Sequence, residues 1–386
     1  MPTLEVDTIV IGGGLLGWSA AYPLVKAGQR VALIDRMDEG HATQAGAGII
    51  APGMNVRDSE TGYELRKAAI AYYAELVDSL TADGEPDTGY ERVGALFVAR
   101  SEAEAETLPA LASDMIRRRE DGLGNVGEVT LLDPDAARAL FPPLGGIFGA
   151  VHASDASRVN GRILRDAIRS ACQRNGCELI VGEAELVSAS DTLVEVKVGS
   201  TLVEGTSLII AAGAWSCYLA EKLGFALPVF PQRGQIVHLD MPDAYTGDWP
   251  IILGYHDQYI LTFRPNRVVC GATRESDSGY EVRLTAAGVK SVLDEGLAVA
   301  PGLGIATIAE IRIGLRPFSP DRLPVLGPAP DHPNIFLCTG HGPSGLQLGP
   351  YSGRLVAGLV LGEQPAIDIT PFLVDRFQVQ ATVVNG

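Results

Sequence analysis

The residues Asp7–Gly17, DTIVIGGGLLG, contain the pattern that decides the fold of this chain. Within them, Thr8–Ile11 is a short apolar run rich in β-branched residues, which predicts a buried strand. The run leads directly into three glycines with the G-x-G-x-x-G spacing. Leu15–Lys26 then continues with helical character. A strand, a glycine loop and a helix in this order predict the start of a βαβ unit.

Each glycine of the loop has its own physical role. Gly12 allows the tight turn, Gly14 lets the backbone approach a pyrophosphate, and Gly17 lets the helix pack closely on the strand. The helix N-terminus then binds the anion through its N–H groups and its dipole. A second predicted strand, Val31–Ile34, ends at Asp35, where an acidic side chain can hydrogen-bond ribose hydroxyls. The sequence therefore predicts a Rossmann-like dinucleotide-binding unit.

Composition and charge exclude several other classes of protein. The 386 residues, 46% of them hydrophobic and 20% charged, predict a globular protein of two domains. A net charge of −17 disfavours nucleic acid and anionic membrane as partners. The five cysteines form no C-x-x-C pair, so we expect free thiols and no metal site. The early first strand leaves no room for a targeting peptide, and no apolar run reaches ~20 residues. We expect a cytoplasmic protein without an integral membrane span.

Two architectures alternate along the chain. After the first βαβ unit, the helix Arg162–Arg174 followed by the strand Glu178–Val181 predicts another return to a parallel sheet. Residues 227–316 change to a period of two, which predicts antiparallel sheet. An apolar strand, a turn and a helix then return. The predicted elements discussed below are helices over 59–80, Arg162–Arg174 and from Leu346, and strands over Val93–Ala99, Glu178–Val181, Leu193–Val198, Ser200–Glu204, Leu208–Ala211, Tyr259–Phe263 and Ile335–Cys338.

This alternation predicts an α/β protein with two discontinuous domains. We assign residues 1–88, 154–226 and 321–386 to the Rossmann-like nucleotide-binding domain. Residues 89–153 and 227–320 form the second domain, a mainly antiparallel-sheet α+β unit that binds substrate.

Four stretches carry a resemblance to a known family. They are GGGLLG (12–17) with Asp35, ATQAGAG (42–48), LIIAAGAWS (208–216), and GLRPFSPDRLPVLG (314–327) followed by TGHGPSGLQLG (339–349). Together they resemble the FAD-dependent amino acid oxidases and dehydrogenases, the group that contains D-amino acid oxidase, glycine oxidase and sarcosine oxidase. The segment PQRGQ (231–235) is similar to the P-x-R-G-Q turn of that family. The resemblance covers nearly the whole chain and implies FAD as the cofactor.

The resemblance also implies which residues bind FAD. Besides Gly12, Gly14 and Gly17, they include the diphosphate-loop pair Leu15 and Leu16 and the ribose pair Asp35 and Arg36. The remaining implied residues are Ala42, Thr43, Ala47, Gly48 and Ile49 at the diphosphate and isoalloxazine, Glu185 at the adenine through its backbone, Gly213 and Trp215 after a sheet strand, and His341, Gly342, Pro343, Ser344, Gly345, Leu346 and Gln347 at the flavin pyrimidine. A helix that begins in this last segment would stabilise negative charge on reduced flavin.

For the substrate, the resemblance implies two candidate catalytic residues. Arg316 matches an arginine that binds the carboxylate of an amino acid, and Tyr259 matches a tyrosine that hydrogen-bonds the same group. A guanidinium is planar, permanently charged and fork-shaped, which suits a carboxylate. The alternatives are a surface salt bridge for Arg316 and an ordinary strand aromatic for Tyr259. We expect His341 to hydrogen-bond at a helix start rather than to act as an acid or base.

The chain departs from the family pattern at two positions, which bear on the substrate class and on how FAD is attached. Glycine oxidases carry a second arginine in the turn before the last helix, where this chain has Pro343. The loss argues against glycine-sized, dicarboxylate-like or strongly charged substrates. A histidine that some relatives link covalently to flavin would fall at Ala45, so we expect noncovalent FAD.

The implied activity is oxidation of the Cα–N bond of a small amino acid, such as a D-amino acid, glycine, sarcosine or a cyclic imino acid. Hydride passes from the alpha carbon to flavin N5, and water hydrolyses the imine. The electron acceptor is O2 or another acceptor such as a quinone or a partner subunit. Other hypotheses are a flavoprotein subunit with a structural role in a hetero-oligomer, and an NAD(P)-dependent dehydrogenase. The resemblance leaves both homo-oligomers and hetero-oligomers open.

Overall fold

The computed structural model describes residues 2–51, 60–254 and 258–377. Pro52 at the end of the predicted cofactor loop and the first residue of the helix predicted over 59–80 lie outside these residues. So do positions 1, 52–59 and 378–386 of the predicted nucleotide-binding domain and positions 255–257 of the predicted second domain.

The described chain alternates strands with helices. The strands are β1 (Thr3–Ile11), β2 (Val31–Asp35), β3 (Ile49–Ile50), β4 (Tyr90–Arg92), β5 (Ala95–Ala99), β6 (Val129–Leu132), β7 (Gly149–Ala153), β8 (Ser157–Val159), β9 (Glu178–Val181), β10 (Glu185–Ala189), β11 (Val194–Val198), β12 (Thr201–Ile210), β13 (Phe230–Asp240), β14 (Ile251–Leu253), β15 (Tyr259–Phe263), β16 (Arg267–Gly271), β17 (Thr307–Phe318), β18 (Val325–Ala329) and β19 (His332–Thr339). The helices are α1 (Leu15–Lys26), α2 (Ala42–Ala45), α3 (Glu60–Ala82), α4 (Glu102–Ala105), α5 (Leu108–Glu120), α6 (Pro134–Leu140), α7 (Gly161–Arg174), α8 (Ser216–Lys222), α9 (Ala286–Val299) and α10 (Gly345–Val360).

The first sheet has a parallel centre, as the βαβ pattern predicts. β12, β1, β2 and β9 lie side by side in parallel, and β19 joins the far end of β12, also in parallel. Antiparallel strands extend the sheet beyond this centre, with β10 and β11 on one path and β18 beside β19. All five residues of β2 are buried, which explains why its sequence is continuously apolar up to Asp35.

The second sheet is mainly antiparallel, which confirms the period-two prediction. Its strands run in the order β17-β13-β16-β15-β14-β5-β7-β6, and only the β14–β5 pair is parallel. β13 and β17 pair along almost their whole length, and this long ribbon packs against α2. A small third sheet, β3-β8-β4, lies beside them.

The structure corrects two strand predictions. The strands predicted at Ser200–Glu204 and Leu208–Ala211 are one strand, β12. β12 stays extended because it pairs with β1 from Leu202 to Ile210, while its outer half carries the polar residues that suggested a separate strand. The strand predicted at Val93–Ala99 is shorter, since Val93 and Gly94 separate β4 in the third sheet from β5 in the second.

A small residue lets two helices, α1 and α10, pack closely against each other. α1 packs against both α7 and α10. A Cβ on Gly353 of α10 would lie 2.6 Å from the backbone carbon of Ser19 in α1, so only glycine fits this crossing. Helix α1 is correctly predicted at Leu15–Lys26, and its start brings the glycine loop to the carboxyl end of β1.

The strands of the first sheet fall within segments 1–88, 154–226 and 321–386, and those of the second within 89–153 and 227–320. β4 is an exception, since it lies in the second group of segments but pairs with β8. The domain boundaries themselves stay a prediction. Among the described residues, no helix combines the length and the apolar character that crossing a membrane would require.

Candidate functional site

The glycine loop adopts a conformation that requires its glycines. Gly12 has φ +113°, and a Cβ there would lie 2.3 Å from the carbonyl oxygen of Ala211. A Cβ on Gly17 would lie 1.8 Å from the carbonyl oxygen of Gly12, which shows how closely α1 approaches β1. Gly14 differs, because the nearest atom to its Cβ position is Oγ1 of Thr43 at 3.5 Å. That side of the loop therefore offers bare backbone to a ligand.

Asp35 binds the protein backbone at the end of β2. Its Oδ2 accepts a hydrogen bond from the N–H of Gly13, and its Oδ1 accepts one of 2.6 Å from the N–H of Met37. The sequence suggested a contact with ribose hydroxyls. The structure adds that this carboxylate holds the glycine loop against β2 while it also lines the adjoining cavity.

Two adjoining cavities lie between the two large sheets. The first, of about 810 Å³, runs along the glycine loop to the start of β10. The second, of about 620 Å³, lies between the 45–51 loop, the start of α10 and the second sheet. They share Leu16, Ala42, Thr43 and Pro317 as lining residues. Ligand sites usually measure roughly 300–1,000 Å³, so the pair has room for a dinucleotide and a small substrate.

Nearly all the residues implied by the resemblance line these cavities. Those lining the first are Gly12, Gly14, Leu15, Leu16, Asp35, Arg36, Ala42, Thr43, Glu185, Gly213 and Trp215. Those lining the second are Leu16, Ala42, Thr43, Ala47, Gly48, Ile49, Tyr259, Arg316, His341, Gly342, Pro343, Ser344, Gly345, Leu346 and Gln347. Gly17 lines neither cavity, because its role is the close contact of α1 with the loop.

Arg316 and Tyr259 lie against glycines of neighbouring strands. The guanidinium of Arg316, on β17, lies over Gly234 of β13, where a Cβ would be 2.5 Å from Nη2. The hydroxyl of Tyr259, on β15, lies over Gly271 of β16, where a Cβ would also be 2.5 Å away. Nη1 of Arg316 donates a 2.9 Å hydrogen bond to the carbonyl of Thr273. The sheet thus holds both groups in one place.

Burial and neighbouring charge set the protonation of these two groups. Burial raises the pKa of the Tyr259 hydroxyl, and the positive charges of Arg316 and Arg274 only partly oppose this. Tyr259 therefore keeps its proton at neutral pH and can donate it in a hydrogen bond. Burial also lowers the pKa of Arg316, but a guanidinium stays protonated in proteins. The cavity accordingly presents a cation and a hydroxyl donor together.

The sequence prediction missed Arg274. It lines the second cavity together with Gln258, Phe97 and Leu253, none of which the resemblance indicated. No sequence motif marks Arg274, which reaches the cavity because it follows β16 by three residues and β16 pairs with the strand of Tyr259. The chain therefore does supply a second arginine to this cavity, from a segment other than the turn that contains Pro343.

A buried polar network fixes the backbone on both sides of Arg274. The backbones of Arg233 and Glu275 exchange two hydrogen bonds, of 3.0 and 2.9 Å. The carboxylate of Glu275 also accepts hydrogen bonds from the side chains of Arg233, Gln235 and Thr273, at 2.6 to 3.0 Å. The PQRGQ segment of the sequence therefore anchors the loop that follows β16.

His341 lies at the base of the second cavity and is neutral. Its Nε2 is 2.9 Å from the hydroxyl of Ser352, two turns into α10. Burial lowers its pKa to about 3, so it carries no charge at neutral pH. The hydrogen bond predicted for His341 at the start of α10 is therefore made to a residue on the second turn of that helix. The start of α10 has no side-chain cap, so its N–H groups and dipole favour negative charge in the cavity.

A segment after β16 reaches across to the first sheet beside the first cavity. The hydroxyl of Tyr280 donates a 2.8 Å hydrogen bond to the carbonyl of Ala214 and lies 3.2 Å from Sγ of Cys217. Its ring contacts those of Trp215 and Tyr218, with centroids 5.7 and 5.4 Å apart. Tyr280 thus closes one side of the first cavity, and no sequence motif pointed to it.

The site fits the dinucleotide that the sequence suggests. The open side of Gly14 faces the first cavity at the start of α1, where backbone can approach a diphosphate. Thr43 also helps to hold this helix start, because its Oγ1 accepts a 3.0 Å hydrogen bond from the N–H of Leu15. In the second cavity, Gly46 and Gly48 contribute to the lining, and a Cβ on either would meet Leu346 or Val159, so both positions require glycine.

Known proteins share this fold along almost the whole chain. The uncharacterised oxidoreductase YurR of Bacillus subtilis is 41% identical over 365 residues, which cover 94% of this chain and 97% of that protein. The structure of iminodiacetate oxidase from Chelativorans sp. BNC1 matches with a TM-score of 0.90 and 37% identity, covering 95% of this chain and 98% of that one. Glycine oxidase from Geobacillus kaustophilus matches with a TM-score of 0.85 and 25% identity, covering 97% and 99%.

A family model also matches most of this chain. The family of FAD dependent oxidoreductases known as DAO matches residues 7–359, which include the glycine loop, both sheets and almost all of α10. The chain belongs to the DAO family of FAD-dependent oxidoreductases.

Proposed function

We propose that this protein oxidises the Cα–N bond of a small amino acid. The observation that carries the proposal is the position of the Arg316 guanidinium and the Tyr259 hydroxyl. Both line the cavity that adjoins the dinucleotide cavity, and both are held against glycines of neighbouring strands. An enzyme that must orient a carboxylate beside a flavin needs such a pair of groups.

In this proposal, Arg316 and Tyr259 bind the substrate carboxylate. Arginine can donate two parallel hydrogen bonds to the two carboxylate oxygens, and the tyrosine hydroxyl donates a third. Since Nη1 of Arg316 already donates to the carbonyl of Thr273, the guanidinium is held in its plane before the substrate arrives. The alpha carbon of the substrate then has a fixed orientation.

The residues of the cavity orient the substrate and exclude water. FAD, when bound, supplies a hydride acceptor. Loss of hydride from the alpha carbon and of a proton from nitrogen gives an imine, which water hydrolyses to an oxo acid and an amine. No base is needed if the substrate binds with a neutral amine. His341 is neutral and bonded to Ser352, and the proposal assigns it no proton transfer.

The relatives support this chemistry. Glycine oxidase and iminodiacetate oxidase are named for substrates in which a carboxylate-bearing carbon is bonded to an amine nitrogen. Both proteins share the fold of this chain over more than nine tenths of its length. The proposal therefore places the substrate of this chain among small amines that carry a carboxylate on the reacting carbon.

We propose that FAD is bound without a covalent link, through the residues named above that line the two cavities. The position where some relatives of this family attach flavin through histidine is Ala45, whose methyl group cannot form such a bond. Acid precipitation of the yellow protein should leave FAD in the supernatant. Colour that stays with the precipitate would contradict the proposal.

Substitution of Arg316 tests the proposed function. Arg316→Lys keeps the charge and loses the fork, so kcat/KM for the best amino acid should fall by about 10-fold or more, and Arg316→Ala should lower it further. The FAD content of both variants should equal that of the unaltered protein. Each assay is run with O2 and with an artificial dye, which separates an oxidase from a dehydrogenase.

An amine analogue of the best substrate without its carboxylate provides the control. It should be a poor substrate of the unaltered protein and should lose little further in Arg316→Ala. Equal losses for the two compounds would show that Arg316 has a structural role and would overturn the proposed anchor. Absence of turnover with every amine and both acceptors would favour a structural subunit of a larger complex.

A further inference from the structure

Arg274 lines the same cavity as Arg316, from the segment that follows β16. Side chains alternate along an extended chain, and Thr273 and Glu275 both point into the buried network with Gln235. Arg274 therefore points the opposite way, where it lines the second cavity. Nη1 of Arg316 donates to the carbonyl of Thr273, which immediately precedes Arg274 in the chain. The guanidinium of Arg316 is therefore hydrogen-bonded to the peptide group that joins Thr273 to Arg274.

The charge of Arg274 acts on the other two groups of the cavity. Its positive charge lowers the pKa of the Tyr259 hydroxyl, together with that of Arg316, against the larger effect of burial. It also contributes, after burial, to the lowered pKa of Arg316. The described lining of this cavity includes these two arginines and no aspartate or glutamate. Both guanidinium groups therefore line the space that a substrate would fill.

We propose that the cavity has a second carboxylate subsite at Arg274, so that the substrate is a small amine with two carboxylates. This inference rests on the proposed function, in which Arg316 binds the carboxylate next to the reacting carbon. A guanidinium has five N–H donors, so Arg274 can bind a carboxylate and keep other hydrogen bonds at the same time.

A second carboxylate can lie in either of two positions on such a substrate. It can be on the nitrogen substituent, as in iminodiacetate, or on the side chain, as in aspartate. In both cases one Cα–H bond breaks, the hydride passes to the FAD of the enzyme, and nitrogen releases a proton to water. Water then adds to the C=N bond. Iminodiacetate gives glyoxylate and glycine, and aspartate gives oxaloacetate and ammonia.

Gln258 supplies a further polar atom for the nitrogen of this substrate. Its Nε2 donates a 3.3 Å hydrogen bond to the carbonyl of Ala272, two residues before Arg274. Its Oε1 is buried and accepts no hydrogen bond from the described residues. An amine N–H is a donor, so an acceptor on the same wall suits a substrate whose nitrogen lies between two carboxylates.

The experiment compares matched substrates in the FAD-loaded protein. Iminodiacetate is paired with its monoamide, N-(carbamoylmethyl)glycine, and each enantiomer of aspartate is paired with the corresponding asparagine. Within each pair only one carboxylate becomes a neutral amide of the same shape. At least one dicarboxylate should exceed its amide in kcat/KM by about 10-fold or more, since hydrogen bonds to charged groups are the stronger ones.

Arg274→Gln should remove this preference. Relative to its effect on sarcosine, the substitution should lower kcat/KM for the preferred dicarboxylate by about 10-fold or more, mainly through KM. Arg283→Gln is the matched control, because Arg283 lies on the same segment, pairs with Glu281 at 3.1 Å and lines neither cavity. It should leave both the preference and the sarcosine activity unchanged.

A binding measurement gives a readout that does not depend on turnover. Oxydiacetate has two carboxylates and no nitrogen, and methoxyacetate is its counterpart with one. Calorimetry should show tighter binding of oxydiacetate, and this advantage should disappear in Arg274→Gln. The second subsite is overturned if neither substrate pair shows a preference, or if Arg274→Gln lowers sarcosine and the dicarboxylate equally. Turnover of sarcosine without any dicarboxylate preference would overturn this subsite and leave the proposed function standing.

Discussion

The guanidinium of Arg316 lies over the Cα of Gly234 on the neighbouring strand. A Cβ at Gly234 would lie 2.5 to 2.6 Å from Nη1, Nη2 and Cζ of Arg316, well inside any allowed contact. The absence of a side chain at Gly234 therefore makes room for the guanidinium that is proposed to bind the carboxylate. Gly234 stands next to Arg233, whose side chain pairs with Glu275 and holds the loop of Arg274.

Gly234→Ala should displace Arg316 without unfolding the protein. The added methyl group forces the guanidinium out of its plane, so kcat/KM for the best amino acid should fall by about 10-fold or more while FAD content is unchanged. Gly304→Ala is the control, since no atom lies within 4 Å of the Cβ position of Gly304. If Gly234→Ala is as active as the control, the position of Arg316 over Gly234 has no role in catalysis.

Gly14→Val should abolish retention of FAD. The open side of Gly14 faces the first cavity, and a valine there would occupy the space that the pyrophosphate needs. The melting temperature of the variant should equal that of the apoprotein and should not rise with added FAD, because a ligand stabilises only the state it binds. Stoichiometric FAD in purified Gly14→Val would place the diphosphate elsewhere.

The sequence predicted the parts of the site that short local patterns encode. The glycine loop, α1 and β2 are all set by residues within about thirty positions of one another, so their order and spacing identify the unit. Period-two alternation likewise identified the second sheet. Arg316 and Tyr259 were placed through resemblance, because each lies in a stretch that the family shares.

The missed residues depend on pairing between distant segments. Arg274 reaches the cavity because Glu275 pairs with Arg233, some forty residues earlier, and no local pattern shows this register. Tyr280 contacts Ala214, which follows β12 of the first sheet, for a similar reason. The separate strands predicted within β12 failed because its pairing with β1 overrides the polar residues of its outer half. Contacts between distant segments thus determine the positions of Arg274 and Tyr280 and the length of β12.

Tyr280→Phe should weaken FAD binding. The variant loses the 2.8 Å hydrogen bond to the carbonyl of Ala214 and keeps the ring contacts with Trp215 and Tyr218. One such bond contributes about 0.5–1.5 kcal/mol, so the Kd of FAD should rise by about 2- to 10-fold. Titration of the apoprotein with FAD, followed by fluorescence, measures this directly.

The control for Tyr280→Phe is Tyr245→Phe, an exposed tyrosine that lines neither cavity. Its Kd for FAD should stay at the value of the unaltered protein. With FAD at saturation, kcat should be the same for all three proteins, because Tyr280 lies at the first cavity and not at the substrate. An unchanged Kd in Tyr280→Phe would mean that this segment does not help to retain the cofactor.

His238 should make the protein less stable as the pH falls below about 6.5. The side chain is buried on β13, and neither ring nitrogen has a hydrogen-bond partner among the described residues. Burial, and the positive charges of Arg312, Arg267 and Arg162, lower its pKa, although Glu310 acts in the opposite direction. Below about pH 6.5 the unfolded chain therefore binds a proton on this histidine, and the folded chain does not. As a result, the free energy of unfolding decreases by up to about 1.4 kcal/mol for each pH unit below that value.

The window between pH 5 and 6.5 isolates this effect from the carboxylates. Glu310 has its pKa lowered to about 2, chiefly by its hydrogen bond with Arg312, and the stability it contributes is lost only below its unfolded value of about 4.3. Urea unfolding of the apoprotein at several pH values should show a shallower slope in His238→Gln, by close to one bound proton. His332→Gln is the control, because that half-buried histidine bonds the carbonyl of Leu223 at the far end of the other sheet. A slope in His238→Gln equal to that of the unaltered protein would show that the folded state accepts a proton on His238 at this pH.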